Sequence, residues 1–421
     1  MKQIIKFPSN FFWGASTSAH QVEGGNVNDW FLFEKENATR LADEAKNKWE
    51  KWQREKFPEM YFPNNYISGK ATNHYVRFEE DFDFAKYLGQ NAHRFSIEWS
   101  RIEPEEGKFD EKAITHYRQV LLALKERKIE PFVTLWHWPI PLWLRGKGGW
   151  DPSVTITYFE RYVKTVVEAL GEDVKYWITL NEPEIYLSHS FWKGEWPPQR
   201  KSFISSFSVL INLILAHRSA YKIIKERFPA SQVGIAKNNI NFQGVNDNIF
   251  NQLLTKIMDY GWNKFILNRI RKQQDFIGLN HYFRRKVGFG TPKLRTQSEG
   301  RERFSDLGWE LHPESMYAVL VGLKKYKKPV YITENGLADR DDENREWFIN
   351  KSLQMVHKAI NEGVDVRGYF YWSLLDNFEW DKGFWPRFGL IEVDYETGER
   401  KVRKSALEYK KICEENGMEV G

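Results

Sequence analysis

The stretch Trp177-Ile178-Thr179-Leu180-Asn181-Glu182-Pro183 is a short run of apolar and β-branched residues that ends in an amide, an acid and a proline. A second stretch, Val330-Tyr331-Ile332-Thr333-Glu334-Asn335-Gly336, has the same form. Runs without strict apolar–polar alternation are typical of strands that are buried on both faces of a parallel sheet. Pro183 disfavours helical geometry at Glu182, and Asn335-Gly336 is a turn signal. We therefore expect each carboxylate at a strand-to-loop junction.

Eight such runs occur along the chain, and a stretch with helical spacing follows each of them. The runs are Phe11–Ala15, Ala92–Trp99, Pro131–His137, Lys175–Asn181, Gln232–Asn238, Phe276–Tyr282, Pro329–Asn335 and Arg367–Leu375. The helical stretches are Phe78–Leu88, Lys112–Arg127, Val154–Leu170, Phe203–Phe228, a region around Phe250–Arg271, Glu314–Tyr326, Glu343–Glu362 and Lys404–Glu415. Eightfold strand–helix alternation without a Pro/Gly/Ser linker predicts an α/β protein, a single (β/α)8 TIM barrel over residues 1–421. We interpret the polar segment around residues 34–70 as an insertion after the first strand.

Composition and charge exclude several classes of protein. Of the 421 residues, 41% are hydrophobic and 67 are aromatic (18 Trp, 19 Tyr and 30 Phe), so a disordered chain is excluded. The net charge of +5 is spread without blocks, which argues against a nucleic-acid partner. The single cysteine, Cys413, allows neither an intramolecular disulfide nor a cysteine-based metal site. We recognise no export signal up to Phe12 and expect a cytoplasmic location.

The chemistry of a (β/α)8 barrel lies at the carboxyl ends of its strands. Glu182 and Glu334 close the fourth and seventh runs, so both should face the same end of the barrel. Two carboxylates in one cleft suit glycoside hydrolysis, where one is the nucleophile and the other, its pKa raised, protonates the leaving oxygen. The residues alone leave these two roles unassigned. Either glutamate could instead be a plain cap or turn residue.

The other strand ends carry amides, rings and ionisable side chains. They include Gln21 and Glu23 after the first run, Arg94 in the second, His137 and Trp138 after the third, Asn280, His281 and Tyr282 after the sixth, and Glu379 and Trp380 after the eighth. Sugars need this mixture, because amides and carboxylates match hydroxyl groups while rings cover the apolar C–H faces. A sugar-binding barrel without catalysis and a metal-dependent hydrolase are the alternatives. A metal site is less well supported, because His20, His137 and His281 come from separate segments without an HxH or HExxH pair.

Five longer motifs resemble the retaining β-glycosidases of glycoside hydrolase family 1, the β-glucosidase and β-galactosidase group. The motifs are Phe11-Phe12-Trp13-Gly14-Ala15-Ser16-Thr17-Ser18-Ala19-His20-Gln21-Val22-Glu23-Gly24, Arg94-Phe95-Ser96-Ile97-Glu98-Trp99-Ser100-Arg101, Thr179-Leu180-Asn181-Glu182-Pro183, Ile332-Thr333-Glu334-Asn335-Gly336 and Tyr371-Trp372-Ser373-Leu374-Leu375-Asp376-Asn377-Phe378-Glu379-Trp380. They appear in the family's order and cover the chain nearly end to end. The resemblance implies hydrolysis of terminal β-D-glucosyl and related residues by a (β/α)8 barrel.

The resemblance also assigns roles to individual residues. It implies that Glu182 is the general acid/base and Glu334 the nucleophile of a double displacement with retention, with no metal and no cofactor. The carboxyl groups should then lie about 5 to 5.5 Å apart. Arg94 and Tyr282 should flank Glu334 and favour its ionised form, while Asn280 completes the polar floor. The residues implied to hold the non-reducing sugar are Gln21, His137, Asn181, Glu379 and Trp380, with Trp372 as its platform.

Departures from the family pattern concern the outer part of the pocket. His20 stands where a tyrosine is common, and Pro139 follows His137-Trp138 where many members carry aspartate. Glu379-Trp380-Asp381 replaces the phosphate cradle of the phosphoglycosidase branch, and an acid there would repel a 6-phosphate, so unphosphorylated substrates are expected. Gluco, galacto and manno substrates, the aglycone and the oligomeric state are left open. The chain has more aromatic residues than its core requires. This excess suggests the further hypothesis that the protein associates with a membrane or binds alkyl glycosides.

Overall fold

The computed structural model describes residues 3–288 and 303–420. Its strands are β1 (Gln3–Lys6), β2 (Phe12–Ser16), β3 (Ala92–Ser96), β4 (Glu130–Trp136), β5 (Tyr176–Asn181), β6 (Gln232–Asn238), β7 (Asn241–Gly244), β8 (Ile277–Asn280), β9 (Arg284–Val287), β10 (Val330–Asn335), β11 (Val366–Trp372), β12 (Ile391–Val393), β13 (Arg400–Val402) and β14 (Gly417–Val420). Eight of them close into a parallel barrel in the order β2-β3-β4-β5-β6-β8-β10-β11. This closure confirms the predicted (β/α)8 fold.

Helices cover the outside of the barrel. They are α1 (Ala19–Val22), α2 (Asp29–Lys48), α3 (Lys51–Lys56), α4 (His74–Tyr87), α5 (Trp99–Ile102), α6 (Glu111–Glu126), α7 (Leu142–Gly146), α8 (Thr155–Leu170), α9 (Pro183–Leu187), α10 (Phe203–Arg227), α11 (Ile249–Asp259), α12 (Phe265–Arg269), α13 (Glu314–Leu323), α14 (Arg345–Asn361) and α15 (Lys404–Glu415). Alternate strand residues such as Val133, Ile235 and Ile332 face these helices and form the main core with them. The opposite faces fill the barrel, where the Phe132 and Tyr176 rings stack at 4.2 Å between centroids.

Every predicted run coincides with a barrel strand, but some ends differ. The second run is predicted to reach Trp99, whereas β3 ends at Ser96, because the Glu98 carboxylate caps α5 by accepting a hydrogen bond from Ser100 N. The eighth run is predicted to reach Leu375, whereas β11 ends at Trp372. The chain there leaves the barrel wall and its amide groups bond to the loop before β12, as Ser373 N does to Phe388 O.

The helix predicted around Phe250–Arg271 is divided. Between α11 and α12 lies a π-helical turn, Tyr260–Lys264. The Asn263 side chain in this turn bonds to both backbone groups of Ile240, which ties the break to the end of β6. Hydrophobic periodicity does not register a polar contact of this kind, so it predicts one continuous helix.

Segments outside the barrel include short antiparallel and parallel ribbons and the region after β2. β1 pairs with β14, β7 with β9, and β12 with β13. The polar segment around residues 34–70 folds as part of α2, as α3, and as two 3₁₀ turns, Pro58–Tyr61 and Pro63–Tyr66. Helix α2 begins earlier than that segment, at Asp29, because Asn28 Oδ1 accepts a hydrogen bond from Phe31 N at 3.0 Å. These turns lie against the loop that carries Glu379 and Trp380, since Asn65 Nδ2 donates to Lys382 O at 2.9 Å.

Helix α10 is long and apolar enough to cross a membrane, alone among the helices that the structure describes. Its central residues Val209, Leu213, Ala216 and Ala220 are buried. The helix packs along α8, so its length and composition are explained as those of a core helix. Its first turns are exposed at Phe203, Ile204 and Phe207, and Leu215 is exposed farther along the helix.

Candidate active site

Glu182 is the first residue after β5 and the N-cap residue of α9. Its φ of 42° lies in the left-handed region, which costs a non-glycine residue about 1 to 2 kcal/mol and is held here by the surrounding contacts. The backbone N–H donates to Ala236 O at 2.8 Å. Two amides, Asn280 Nδ2 at 2.9 Å and Asn238 Nδ2 at 3.0 Å, donate to Oε1 of the carboxyl group. The side chain is buried and aimed at the barrel axis by neutral donors only.

Glu334 lies within the last residues of β10 and pairs in register with Asn280 of β8. Its Oε1 forms an ion pair with the Arg94 guanidinium, and its Oε2 accepts a hydrogen bond from the Tyr282 hydroxyl at 2.6 Å. Burial and the Glu334 charge raise the pKa of Tyr282 well above its ordinary value, so the phenol stays protonated and acts as the donor. Both carboxylate oxygens thus have strong, charge-assisted partners.

The two carboxyl groups therefore differ in electrostatic environment. Burial first, then the charges of Glu334 and Glu184, raise the pKa of Glu182 to about 8. A carboxyl group with that pKa carries its proton at neutral pH and can donate it. Arg94 and Tyr282 contact Glu334 instead, and a cation and a phenol favour a carboxylate. The contacts thus place neutral amides at the protonated Glu182 and a cation and a phenol donor at Glu334.

Arg94 and Asn181 connect the polar floor beneath both glutamates. Arg94 is fully buried, and its guanidinium donates to Thr134 Oγ1 at 3.1 Å and to Asn181 Oδ1 at 2.6 Å. Asn181 Nδ2 lies 3.0 Å from His137 Nε2. Burial and Arg94 hold the pKa of His137 well below its usual range, so the imidazole is neutral. Among the described residues His137 Nδ1 is buried and has no hydrogen-bond partner.

Gln21 and Glu379 meet on the next side of the cleft. Gln21 Nε2 donates to Glu379 Oε2 at 3.2 Å and to Phe378 O at 2.9 Å, so its amide is fixed in orientation. Burial raises the pKa of Glu379 to about 8, against the opposing charge of Lys382. A carboxyl group and an amide held side by side can bind two adjacent hydroxyl groups of a sugar. The carboxyl group accepts a hydrogen bond from one hydroxyl, and the amide accepts from or donates to the other.

Rings form the wall of the same cleft. The His137 ring stacks 5.9 Å from Trp372 and 6.2 Å from Trp380, between centroids. Trp372 and Trp380 are both nearly fully buried, and Trp138 packs 4.7 Å from Trp380. The structure thus brings together all the residues proposed to hold the sugar: Gln21, His137, Asn181, Trp372, Glu379 and Trp380.

Sequence reasoning missed Asn238, Glu184 and Lys237. Asn238 ends β6 and donates to Glu182, and the pair Asn238-Asn239 at a strand end could have been noticed as a signal. Lys237 is fully buried, with Nζ 2.8 Å from Glu184 Oε1. A lysine in a strand is typical of an exposed position, so only the structure shows this ion pair.

One hollow lies away from this cleft. It measures about 860 Å³ and is lined by residues just before or at the start of barrel strands, among them Asn10, Glu130, Lys175 and Arg367. That end of the barrel contributes to stability rather than chemistry in this fold. In residues 3–288 and 303–420, no three His, Cys, Asp or Glu side chains are grouped to hold a metal ion.

Comparison with known proteins places this cleft in a family. The sequence profile "Glycosyl hydrolase family 1" matches residues 3–249 and 261–418. Beta-glucosidase A of Thermotoga maritima is 33% identical, over 99% of this chain and 99% of that protein. A beta-galactosidase of Saccharolobus solfataricus is 30% identical, over 97% and 95%.

Solved structures agree. A beta-glycosidase from Pyrococcus horikoshii superposes with a TM-score of 0.88 at 38% identity, covering 99% of this chain and 96% of that one. The Thermotoga maritima beta-glucosidase in complex with glucoimidazole has a TM-score of 0.85 at 30% identity, with coverage of 98% and 100%. Fold, cleft and sequence lead to the same conclusion: the chain belongs to glycosyl hydrolase family 1, the family of retaining β-glycosidases.

Proposed function

We propose that the protein hydrolyses terminal, non-reducing β-D-glucosyl residues, and β-D-galactosyl or related residues, with Glu182 as general acid/base and Glu334 as nucleophile. The observation that carries this assignment is the unequal pairing of the two glutamates. Glu334 contacts a guanidinium and a phenol, whereas Glu182 contacts two neutral amides. The relatives named beta-glucosidase and beta-galactosidase support both sugars.

The reaction follows from these contacts in two steps. Glu334 attacks the anomeric carbon while Glu182 transfers its proton to the glycosidic oxygen, and the bond to the aglycone breaks. The resulting Glu182 carboxylate then takes a proton from water, whose oxygen displaces Glu334 from the same carbon. Two inversions retain the β configuration. A carboxyl separation of about 5 to 5.5 Å stays a prediction of this mechanism.

Azide rescue tests the assignment of both glutamates. In Glu334→Gly, hydrolysis of 4-nitrophenyl β-D-glucoside should be lost and azide should restore turnover with an α-glucosyl azide as product, because azide replaces the nucleophile directly. In the matched variant Glu182→Gly, azide should give the β-glucosyl azide, since it then acts on the covalent intermediate. A β-product from Glu334→Gly, or no rescue, would reject the nucleophile assignment.

The charge of Asp381 does not explain a preference for unphosphorylated sugars. Asp381 forms ion pairs with Lys382 and Lys48 and accepts a hydrogen bond from Trp196 Nε1 at 2.8 Å. Its charge is therefore neutralised and cannot repel a phosphate by itself. The preference now depends on Glu379, whose protonated carboxyl group provides no cation to bind a phosphate. Comparing kcat/KM for 4-nitrophenyl β-D-glucoside and its 6-phosphate tests it, and equal values would contradict it.

A second proposal concerns the rim of the cleft. Trp192, after β5, lies 6.3 Å from the Trp262 ring, after β6, and donates to Ser206 Oγ at 2.6 Å. Helices α10 and α11 and the turns beside them expose apolar side chains, here called the apolar rim: Trp192, Phe203, Ile204, Phe207, Ile249, Phe250, Leu253, Ile257 and Tyr260. Large exposed apolar patches are typical of interaction sites. We propose that the apolar rim binds alkyl aglycones or a lipid surface.

Alkyl chain length separates this proposal from chance exposure. With the apolar rim engaged, kcat/KM should rise from methyl to octyl β-D-glucoside, because each buried CH₂ contributes about 0.8 kcal/mol. Phe203→Ser/Ile204→Ser should flatten that rise and reduce sedimentation with phosphatidylcholine vesicles. A matched exposed pair elsewhere, Val76→Ser/Tyr87→Ser, should change neither. A cytoplasmic location is likewise a proposal, which fractionation of the native cells would test.

A further inference from the structure

A buried ion pair lies directly behind Glu182. Lys237 is the penultimate residue of β6, and its Nζ lies 2.8 Å from Glu184 Oε1 and donates to Asn238 O, also at 2.8 Å. Glu184 follows Glu182 by two residues in α9. Both side chains are almost completely removed from water. The pair therefore joins the two chain segments whose side chains, Glu182 and Asn238, bond to each other.

The position of Lys237 is one where the fold needs an apolar side chain. Val233, Ile235 and Lys237 are every second residue of β6 and share its outer face. Val233 and Ile235 belong to the core between the sheet and the helices. Burying two charges costs several kcal/mol per ion before their attraction offsets it, and apolar replacements of such pairs are often neutral or stabilising. Stability alone thus gives no reason for the pair, whereas its contacts with the acid/base segment do.

We propose that Glu184 and Lys237 are positioning residues for Glu182: Lys237 holds the Asn238 backbone so that its amide meets Glu182, and the Glu184 carboxylate keeps a negative charge behind the acid/base. This inference depends on the proposed role of Glu182. Burial raises the pKa of Glu184, and the adjacent Lys237 cation opposes that rise. The Glu184 carboxylate stabilised by Lys237 opposes ionisation of Glu182 and so preserves its proton between turnovers. Lys237 acts in the opposite sense, but Glu184 and not Lys237 is among the largest influences on the pKa of Glu182.

Other groups face Glu182 from every side and must be counted with the pair. Glu334 approaches from β10, and its charge acts in the same sense as that of Glu184. Asn280 from β8 and Asn238 from β6 donate to Glu182 and oppose both carboxylates. Tyr282 is protonated, and Arg94 is engaged by Glu334. Of the charges that preserve the proton on Glu182, Glu184 is the one that can be neutralised without altering the nucleophile.

The test is the pH dependence of kcat/KM for 4-nitrophenyl β-D-glucoside between pH 5 and 10. In Glu184→Gln the alkaline limb should move down by about one pH unit, the size of shift that a close charge produces. Glu103→Gln is the matched control, because Glu103 is a fully buried carboxylate paired with Arg161 outside the cleft. It should leave the limb in place. An unmoved limb in Glu184→Gln with a uniform loss of activity would overturn the inference.

Two further variants keep the result decisive. If Glu184→Gln does not fold, the double variant Glu184→Met/Lys237→Met removes both charges. Its alkaline limb should still move to lower pH, but by less than in Glu184→Gln, because loss of the Lys237 cation raises the pKa of Glu182. An unmoved or raised limb there also rejects the inference. Glu182→Gln separates the two hypotheses. If it keeps the wild-type limb, the role of Glu182 is wrong; if it abolishes the limb and Glu184→Gln leaves it unmoved, only the positioning role is wrong.

Discussion

Replacing Glu182 by glutamine removes the proton donor and keeps the shape of the side chain. Asn238 and Asn280 both donate to Oε1 of Glu182, and a glutamine oxygen can accept the same two hydrogen bonds. The cleft should therefore stay intact. We expect the variant to bind glucosides normally and to fail in protonating the leaving group, so the loss of activity should depend on how much the aglycone needs a proton.

The magnitude follows from the pKa of about 8 for Glu182. At pH 7 about nine-tenths of the enzyme then carries the proton, whereas the ordinary value would leave well under one per cent protonated. General acid catalysis contributes about 10²- to 10⁴-fold in rate. For cellobiose, with a poor leaving group, kcat/KM should fall by about that factor. For 2,4-dinitrophenyl β-D-glucoside it should fall by less than about tenfold, because this leaving group departs without a proton.

The assay is kcat/KM for both substrates from pH 5 to 10. Wild-type activity toward cellobiose should fall tenfold per pH unit above about pH 8, as the acid form of Glu182 is lost. In Glu182→Gln that alkaline limb should be absent. Equal losses for the two substrates would refute the assignment of Glu182 as the acid. A retained limb would also refute it if Glu379→Gln, which removes the other carboxyl group with a pKa of about 8, leaves the limb in place.

Three other outcomes follow from the same contacts. Tyr282→Phe removes the hydrogen bond that the phenol donates to the Glu334 carboxylate. Because hydrogen bonds to charged groups contribute about 1.5 to 3 kcal/mol, kcat/KM should fall about 10- to 100-fold. A fall of less than about threefold would contradict this. Glu379→Gln should raise KM for glucosides more than it lowers kcat, as measured by steady-state kinetics. The free energy of unfolding should fall as pH rises from about 5 to 9. Glu182, Glu379 and Asp29 have raised pKa values of about 8, 8 and 7, so in this range the folded protein holds protons that the unfolded chain releases. Denaturant titrations that give the same free energy of unfolding at every pH would contradict this.

The barrel could be predicted because buried parallel strands leave a strong signal. Runs such as Gln232–Asn238 are buried on both faces, and this one has the predicted bounds. The break in the helix around Phe250–Arg271 could not be predicted, because it depends on Asn263 bonding to Ile240, a contact between segments. Local patterns specify elements, while breaks that long-range polar contacts impose appear only in three dimensions.

The site shows the same division. The position of Glu182 and Glu334 at strand ends follows from their neighbours in sequence, yet their roles came from family resemblance. The physical difference between them lies in partners that are distant in the chain, such as Arg94 for Glu334 and Asn238 for Glu182. Lys237 shows the limit most clearly: its charge predicts exposure, and only its contact with Glu184 makes a buried position possible.

The two glutamates are chemically identical, so their different behaviour must come from what the strands bring to each. The end of β8 serves both: Asn280 donates an amide hydrogen to Glu182, and Tyr282, two residues on, donates a phenol hydrogen to Glu334. β3 then adds a guanidinium to Glu334 alone. A neutral amide holds a carboxyl group in place and still allows it to keep a proton, whereas a cation favours the carboxylate. Moving one proton between these groups and the substrate requires that asymmetry, and a second cation beside Glu182 would remove it.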